Sequence, residues 1–461
     1  MLFPTLSFVL FLVAVLTLNA LAFDRAGWRK TVLLLASYAF YAAWDVRFLL
    51  LMAAVSATAW VGGQLVGQVD WRRPALVGSI TVLIGILCFF KYFNFFTLSL
   101  QQLLEPMGLG RDLAWISVIL PVGISFYIFQ AISYVVDVDR GLCAARRNPV
   151  DIFLYISFFP QLVAGPIVRA SQFLPQIDAP VRPDARSTAE AVVLVLAGLF
   201  KKMVVANYLS VLVVDPFYAL PDGQNALTAA VALLAYGVQI YCDFSGYSDI
   251  AIGVALLLGY RFRRNFNQPY RAASLRGFWR RWHISLSTWI RDYLYIPLGG
   301  NRGTARRQTL VLMTAMTLAG LWHGAGWNFL AWGALHGAGL AVERRLRPNP
   351  NLKVASVALV FLFVLVLWVP FRAATLADAL QVFAAFTRTD GYAPTDVAPF
   401  AIVLIATGLA MNWLPLRWLD AGVAALGRAP AVLQATVLAS GTWLCFAAAQ
   451  EGVAPFIYFQ F

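Results

Sequence analysis

The three histidines of the chain, His283, His323 and His336, all lie within one short stretch of the sequence. The same region is strongly basic: residues 261–307 hold eleven arginines against a single acid, Asp292, which makes +10 of the net charge of +13. An imidazole in a low-dielectric site stays neutral near pH 7 and can accept a proton from a hydroxyl group. This combination favours general-base chemistry, and acyl transfer to a hydroxyl is a reaction that it suits.

Other chemistries find little support in the sequence. No serine or cysteine stands in a known nucleophile-elbow pattern, and no G-x-x-x-x-G-K phosphate loop occurs. The four cysteines are far apart and form no C-x-x-C pair, so we predict packing roles for them and no metal site. The arginines alternate with Trp and Tyr beside apolar runs, as they do at membrane interfaces, which argues against a nucleic-acid partner.

The three histidines differ in how strongly the sequence indicates a functional role. An ionisable side chain inside a membrane is costly and tends to mark function, although a lone histidine can also simply tie two helices together. For His323, the neighbouring glycines and the second histidine favour function. For His283, which follows Arg280, Arg281 and Trp282, a functional role and an interfacial anchor are equally good interpretations. His336 is predicted to be structural.

The composition is that of a membrane protein. The 461 residues are 61% hydrophobic with a mean hydropathy of +0.72, and only 12% are charged, against about 25% in soluble domains. Runs near membrane-spanning length recur along the chain, and we predict roughly ten to twelve spans. The first run has no basic segment before it and no cleavage site after it, so we expect a retained helix. The main runs are 2–23, 48–67, 76–90, 113–136, 226–240, 354–369, 402–414 and 432–449.

His323 is predicted at the apex of a short hairpin. Residues 309–322 and 327–342 would form helices of about 21 and 24 Å, both short of a hydrocarbon core of roughly 30 Å. The turn between them is His-Gly-Ala-Gly, and such backbone is tolerated at membrane depth only where protein or a wet cavity encloses it. Gly333 and Gly337, spaced G-x-x-x-G on the return helix, would allow a neighbouring helix to approach closely.

Further irregular or polar positions lie upstream. Prolines and a glycine in residues 153–169 predict a bent or re-entrant piece. Lys201 and Lys202 interrupt an apolar run, and snorkelling to an interface is favoured over a functional role. Asp243 and Asp249 face about 120° apart on a helix, so we predict that they pair structurally with the arginine segment and form no acid–base couple. An excess of arginine and lysine predicts that the loops around residues 72, 140–147, 261–307 and 343–353 are cytoplasmic.

Several of these stretches together resemble the membrane-bound O-acyltransferase superfamily, within it the bacterial branch that contains the alginate O-acetyltransferase membrane subunit and the D-alanyl transfer protein of teichoic acid. The resemblance covers the chain from about residue 120 to about residue 340 and its last residues. The matching stretches are PVGISFYIFQAISYVVDV (121–138), FFPQLVAGPIVR (158–169), YCDFSGYSDIAIG (241–253), NFNQPYRAASLRGFWRRWHISLSTWIRDYLYIPLGGNR (265–302), LAGLWHGAGWNFLAWGALHG (318–337) and PFIYFQF (455–461).

The resemblance implies an all-α, polytopic integral membrane protein with one domain over residues 1–461, a ring of helices containing short or re-entrant pieces, and a cytoplasmic funnel. It places the family's hairpin histidine at His323 and its second active position at His283. We expect substrate-binding residues within or near the basic segment, and structural roles for three polar positions. The substrate-binding residues are Arg280, Arg281, Trp282, Ser285, Arg291 and Asn328, and the structural ones are Asp243, Asp249 and His336.

The resemblance also implies a location, a donor and partners. We expect a bacterial inner-membrane enzyme with no bound cofactor or metal, which takes acetyl from a cytoplasmic donor, expected to be acetyl-CoA. The acetyl group would pass to an exported polysaccharide such as alginate through a lipase/esterase-like extracytoplasmic partner and the export machinery, with membrane lipids around the protein. Transfer of D-alanyl or another acyl group to a cell-wall polymer stays open. So does a different class, a transporter or flippase for lipid-linked sugars, because short broken spans also mark transport sites.

Overall fold

The structure is a computed structural model that describes residues 3–108, 117–163, 165–346, 352–389 and 398–450. Every regular element in these ranges is helical, so the all-α prediction is confirmed for the described part of the chain. Contacts divide the chain into two compact units, residues 1–182 with 255–262 and residues 183–254 with 263–461. The single domain over 1–461 stays a prediction. The matching segment 455–461 lies outside the described residues, as do parts of the run 113–136 and of the loops 343–353 and 373–399.

The described residues of the first unit form eight α-helices. Its 3-10 turns are Val46–Phe48 and Glu105–Met107, and its α-helices are α1 Leu6–Leu21, α2 Ala26–Ala42, α3 Leu49–Val66, α4 Arg72–Leu104, α5 Ile124–Asp139, α6 Pro149–Ser157, α7 Phe159–Leu162 and α8 Ala170–Asp178. The polar residue Lys91 does not divide α4, which is one helix of 33 residues. The break predicted within 153–169 is confirmed, because the chain leaves helical geometry at Phe158, between α6 and α7.

The remaining helices belong to the second unit, apart from the last residues of α12. The helical elements other than α-helices are the 3-10 turns Pro221–Gly223 and Pro269–Arg271 and the π-helices Phe200–Ala206, Ser210–Val214 and Arg291–Tyr295. The α-helices are α9 Ala185–Leu199, α10 Asn207–Leu209, α11 Asp215–Ala219, α12 Ala226–Leu257, α13 Leu275–Trp279, α14 Ile284–Ile290, α15 Ala305–His323, α16 Trp327–Glu343, α17 Lys353–Arg372, α18 Leu376–Ala385, α19 Pro399–Ala410, α20 Leu416–Gly427 and α21 Ala431–Ala447.

Four of the described helices are long and apolar enough to cross a membrane. They are the helices over Val46–Val66, Arg72–Met107, Ala226–Leu257 and Lys353–Arg372. Four shorter apolar helices are Leu6–Leu21, Leu376–Ala385, Pro399–Ala410 and Ala431–Ala447. Any further spans of the predicted ten to twelve would have to come from shorter or more polar helices, so that count stays a prediction.

Within the second unit, α9 and α12 pack unusually closely because glycines face each other. A Cβ at Gly198 would lie 2.6 Å from the carbonyl oxygen of Gly246, and one at Gly253 would lie 2.9 Å from that of Ala191. A side chain in either place would force the backbones apart. The two helices therefore run antiparallel with almost no space between their main chains, which brings the polar residues that follow α9 against α12.

Those polar residues form two ion pairs. Lys202 pairs with Asp243, with side chains only 2% and 4% exposed, and Lys201 pairs with the more accessible Asp249. The predicted pairing of the two aspartates with the arginine segment is therefore wrong, and so is the snorkelling of the two lysines. The sequence shows the charges but not the close glycine contact that turns them towards each other. A buried charge needs a partner, and each of these has one within its own unit.

The hairpin is present, with α15 ending at His323 and α16 starting at Trp327. A Cβ at Gly333 would meet the carbonyl oxygen of Met316 and approach Gly320, so the close packing predicted for this glycine is confirmed, with α15 as the neighbour. The first helix is longer than predicted. The side chain of Thr304 caps it by accepting a hydrogen bond from the Arg307 amide, which adds a polar first turn. At 19 residues it spans about 28 Å, so length alone does not place the apex within a membrane.

Candidate active site

A cavity of about 390 Å³ lies in the second unit, between the hairpin and the arginine segment. It is lined by buried residues of α15, including Ala315, Met316 and His323. Exposed arginines line it as well: Arg276, Arg280, Arg291 and Arg344. The only carboxylate among the described lining residues is that of Glu343. The cavity therefore connects a buried imidazole with a strongly cationic surface.

His323 is the last residue of α15 and is 3% exposed. Its ring is surrounded by other rings, with centroids 5.0 Å from Trp322, 5.0 Å from Trp332 and 5.3 Å from Phe371. The next residue must be a glycine, because a Cβ at Gly324 would collide with the ring of Phe329. These contacts fix the imidazole among aromatic rings in the wall of the cavity. The role of His323 as a general base stays a prediction.

His283 lies at the N-cap of α14, outside the four candidate membrane-spanning helices, and is completely buried. Its Nδ1 accepts a hydrogen bond of 3.4 Å from the Leu286 amide, which leaves the proton of the neutral ring on Nε2. Burial lowers the pKa of His283 to about 3. The ring packs 4.5 Å from Phe244 and 6.0 Å from Trp322, the residue before His323. Trp322 therefore connects the two histidines, although His283 is not among the described residues that line the cavity.

The backbone of His283 is left-handed, with φ of +40°. Asn265 holds this conformation and is 1% exposed. The main-chain carbonyl oxygen of Asn265 accepts a hydrogen bond from the Ile284 amide at 2.9 Å. Its side-chain Oδ1 accepts hydrogen bonds from the amide and the hydroxyl of Ser285, at 3.1 and 2.9 Å. Its Nδ2 donates to Ser248 at 3.1 Å. Asn265 was not predicted as a site residue from the sequence. Its only signal was its place at the start of the matching stretch 265–302.

His336 is buried on α16, away from the described lining of the cavity. Its ring packs between Trp279 at 5.0 Å, Trp332 at 4.7 Å and Phe363 at 5.7 Å. Trp332 therefore separates it from His323 and contacts both rings. This position is compatible with the predicted structural role.

The six predicted substrate-binding residues fall into two groups. Arg280 and Arg291 line the cavity. The other four make contacts elsewhere in the same unit: Arg281 donates to the Asn267 carbonyl at 3.2 Å, Trp282 stacks on Phe278 at 5.6 Å, Ser285 binds Asn265, and Asn328 donates to the Pro370 and Ala373 carbonyls at 3.2 and 2.8 Å.

Three further charged residues line the cavity: Arg276 belongs to the arginine cluster 276–291 that was predicted to attract the donor, whereas Glu343 and Arg344 were not predicted as site residues. Arg276 and Arg344 add to the cationic surface, and Glu343 at the end of α16 uses its carboxylate to accept the backbone amides of Leu275 and Arg276, the latter at 3.1 Å. Glu343 therefore caps the first turn of α13, together with Ser274. Its charge is committed to a helix N-terminus, where it is stabilised. Arg291 pairs with Asp292 at 2.6 Å.

The hydroxyl groups of three residues that line the cavity donate within the protein, that of Tyr295 to the Asn301 side chain at 2.8 Å and the other two to the backbone. Ser287 Oγ donates to the Trp282 carbonyl at 3.2 Å, and Thr288 Oγ1 donates to the Ile284 carbonyl at 2.8 Å. Among the described residues, no group of three or more His, Cys, Asp or Glu side chains could hold a metal ion. The arrangement provides a buried imidazole at the cavity, a second imidazole nearby and exposed arginines. It is suited to transfer of an acyl group from an anionic donor to a hydroxyl.

A multi-helix protein with such a site belongs to the class of membrane acyltransferases. A family model described as the membrane-bound O-acyltransferase family matches residues 80–354, and the chain belongs to this family. It is 43% identical over 395 residues to the "Probable alginate O-acetylase" of Azotobacter vinelandii, covering 84% of this chain and 78% of that protein. It is 33% identical over 397 residues to the peptidoglycan O-acetyltransferase of Helicobacter pylori, covering 78% and 74%.

A more distant relative is the teichoic acid D-alanyltransferase of Streptococcus thermophilus, 30% identical over 235 residues, which covers 48% of this chain and 56% of that protein. The relatives with the longer matches all bear names of O-acetylating enzymes. The predicted family and the predicted enzyme class are therefore confirmed. The protein is a multi-pass membrane O-acyltransferase.

Proposed function

We propose that this enzyme takes an acetyl group from acetyl-CoA on the cytoplasmic side of the bacterial inner membrane and transfers it for O-acetylation of an exported polysaccharide such as alginate. The names of its long-matching relatives support an acetyl group and a polysaccharide acceptor. The observation that carries the proposal is the cavity that joins His323 to four exposed arginines. Acetyl-CoA presents several phosphate charges and a small reactive thioester, and the cavity offers cationic groups and a buried base.

In the proposed mechanism, His323 is the general base. The acceptor hydroxyl loses its proton to His323 as its oxygen attacks the thioester carbonyl. The tetrahedral intermediate then collapses, the carbon–sulfur bond breaks, and the departing thiolate of coenzyme A takes up the proton. A positioned general base of this kind contributes roughly 10²–10⁴-fold to a rate.

His283 is proposed to position the donor or stabilise the oxyanion. Its Nδ1 accepts from the backbone, so the proton on Nε2 is the one that could be donated to a developing negative charge. Arg280 and Arg291, with Arg276 and Arg344, would attract the anionic donor. The cavity would then be the end of the family's cytoplasmic funnel, within a single domain formed as a ring of helices. The acetyl group would reach the polysaccharide through a lipase/esterase-like partner outside the membrane and the export machinery.

The test is transfer of radiolabelled acetyl from acetyl-CoA in inside-out membrane vesicles that carry the polysaccharide machinery. We expect His323→Ala to lose about 10²–10⁴-fold of the transfer rate while its amount in the membrane stays normal. His336→Gln is the matched control, because it changes another buried histidine of the same hairpin that does not line the cavity. Undiminished transfer by His323→Ala would show that another group is the base.

The same vesicles separate the alternatives. Transfer of label from D-alanine on a carrier protein, with none from acetyl-CoA, would establish the D-alanyl reaction of the more distant relative. Movement of a lipid-linked sugar across the membrane without acyl transfer would establish the transport alternative.

A further inference from the structure

A second cavity, of about 310 Å³, lies in the second unit and takes no part in the mechanism above. Its walls come from α9 and the π-helix after it, from α12, from residues 264–268 and from the connection between α19 and α20. Most of the lining is apolar, for example Leu194, Ala197 and Leu419.

The rim of this cavity is apolar and accessible. Leu414, Leu416 and Trp418 are 46%, 37% and 61% exposed, and all three line the cavity. Exposed leucine beside exposed tryptophan is typical of the boundary between the hydrocarbon core and the headgroups of a bilayer. In a membrane protein the rim would therefore face lipid, so that a lipid chain could enter laterally.

The polar end of the cavity carries more positive than negative charge. Lys201 and Arg264 line it, against one carboxylate, Asp249, which pairs with Lys201. The Arg264 side chain is 45% exposed, and its ion pair with Asp420 is long, at 3.9 Å, and joins two exposed groups. The Arg264 guanidinium is therefore available to a phosphate, which it can bind through two parallel hydrogen bonds.

We propose that this cavity binds an anionic phospholipid, with the phosphate at Arg264 and Lys201 and an acyl chain along the apolar wall of α9. One cationic end, apolar walls and a lipid-facing rim match the three parts of such a molecule. A zwitterionic lipid would bring its own cation close to Arg264 and bind less well.

The bound lipid would also support the His283 turn, because residues 264–268 face both sites. Arg264, Phe266 and Gln268 line the second cavity, whereas Asn265 holds the left-handed turn of His283. The Phe266 ring packs 5.1 Å from Phe244, and both rings contact the His283 imidazole. Loss of the lipid would therefore loosen one wall of the catalytic site.

The experiment measures retained lipid by native mass spectrometry after the full chain is purified from nanodiscs with equal phosphatidylglycerol and phosphatidylcholine. We expect wild type to retain phosphatidylglycerol preferentially. Arg264→Gln should reduce that retention about fivefold, since one arginine near a surface contributes ~1 kcal/mol to anionic lipid binding. Ala197→Phe, which fills the cavity, should also reduce it. Arg417→Gln is the matched control, because Arg417 lies on the same helix as Trp418 but outside the described lining.

Equal retention in wild type, Arg264→Gln and Ala197→Phe would overturn the proposal, as would equal retention of the two lipids. Binding of inorganic phosphate without retention of phosphatidylglycerol would overturn the proposal by showing an anion site that takes no lipid. This readout needs no acyl transfer, so it fails or succeeds independently of the proposed function. The support of the His283 turn by the lipid rests on the proposed function. In nanodiscs of phosphatidylcholine alone, the acetyl-transfer rate of wild type should fall to that of Arg264→Gln. An unchanged rate would refute the coupling between the bound lipid and the His283 turn.

Discussion

His283 combines full burial with a left-handed backbone, which is uncommon outside glycine and is adopted most often by asparagine, aspartate and histidine. Burial disfavours the imidazolium, so the pKa falls to about 3 in the folded protein, against about 6.5 in an unfolded chain. The stability that depends on a neutral His283 is therefore fully present above about pH 6.5 and is lost as the pH falls towards 3.

This gives the first prediction. His283→Asn removes the titrating group but suits the left-handed conformation. Between about pH 7.5 and pH 5 we expect wild type to lose about 2 kcal/mol more of its unfolding free energy than the variant. Thermal unfolding of the purified proteins at the two pH values measures the difference. Parallel loss in both proteins would mean that His283 is protonated in the folded state or titrates normally.

Asn265 carries the second prediction, also at the scale of single residues. Asn265→Ala leaves the Ser285 amide and hydroxyl without their acceptor, at a cost of about 1–3 kcal/mol. Because the substitution displaces His283 and not the cavity arginines, we expect kcat for acetyl transfer to fall while the KM for acetyl-CoA stays near that of wild type.

Ser248→Ala is the control for Asn265, since it removes only the partner of Nδ2 and leaves the contacts of Oδ1 in place. Its kcat should stay close to the wild-type value. A rise in KM with an unchanged kcat in Asn265→Ala would show that Asn265 acts on donor binding and not on the His283 turn.

Among the elements, α12 and the π-helix after α9 are joined by a buried ion pair. The third prediction is that Lys202→Met lowers the unfolding free energy by about 3–5 kcal/mol, because it leaves Asp243 buried without its partner. The double variant Lys202→Met with Asp243→Leu should recover most of this loss, since apolar residues of similar size can replace a buried pair.

The neighbouring pair is the comparison. Lys201 and Asp249 have side chains 13% and 21% exposed, so Lys201→Met should lower the thermal midpoint less than Lys202→Met. Thermal unfolding in detergent measures all three variants. If the single and double changes at 202 and 243 prove equally destabilising, the ion pair is not what matters there.

An element can be predicted from the sequence where residues close to it along the chain determine its structure, and not where contacts with distant segments do. The hairpin follows from two apolar runs around His-Gly-Ala-Gly, and the close packing of its helices follows from Gly333. The partners of Lys201 and Lys202 could not be predicted, because they depend on glycine contacts between helices and on the π-helix that holds both lysines. The turn of His283 likewise depends on Asn265, which lies on another segment.

At the scale of the whole molecule, the sequence places ten of thirteen net positive charges in residues 261–307, and the structure brings four arginines to one cavity. Three of them come from that segment, but Arg344 follows α16. A count of charges along the chain therefore predicts a cationic region but not which arginines share a site. The family was recognisable from motifs over about 120–340, and the matching model extends to 80–354.

The fourth prediction concerns this cationic surface. Arg276→Gln and Arg280→Gln should raise the KM for acetyl-CoA several-fold with little change in kcat, because both residues are exposed and attract the donor without touching the reacting atoms. The difference from wild type should shrink at high ionic strength, where exposed charges are screened. Arg345→Gln, exposed but outside the described lining, is the control. An unchanged KM for acetyl-CoA in both cavity variants would show that these arginines do not contribute to donor binding.

The paired charges of α9 and α12 also impose an order on synthesis. Lys202 is translated 41 residues before Asp243, and Lys201 is translated 48 residues before Asp249. Until the second half of α12 has left the ribosome, the segment after α9 carries two ammonium groups whose partners do not yet exist. That segment cannot be stably buried alone, since an unpaired charge in a bilayer is costly. The segment can be buried only after α12 has been synthesised. In the nascent chain, α9 therefore has to stay at the membrane surface or in the insertion machinery until both helices enter the bilayer together.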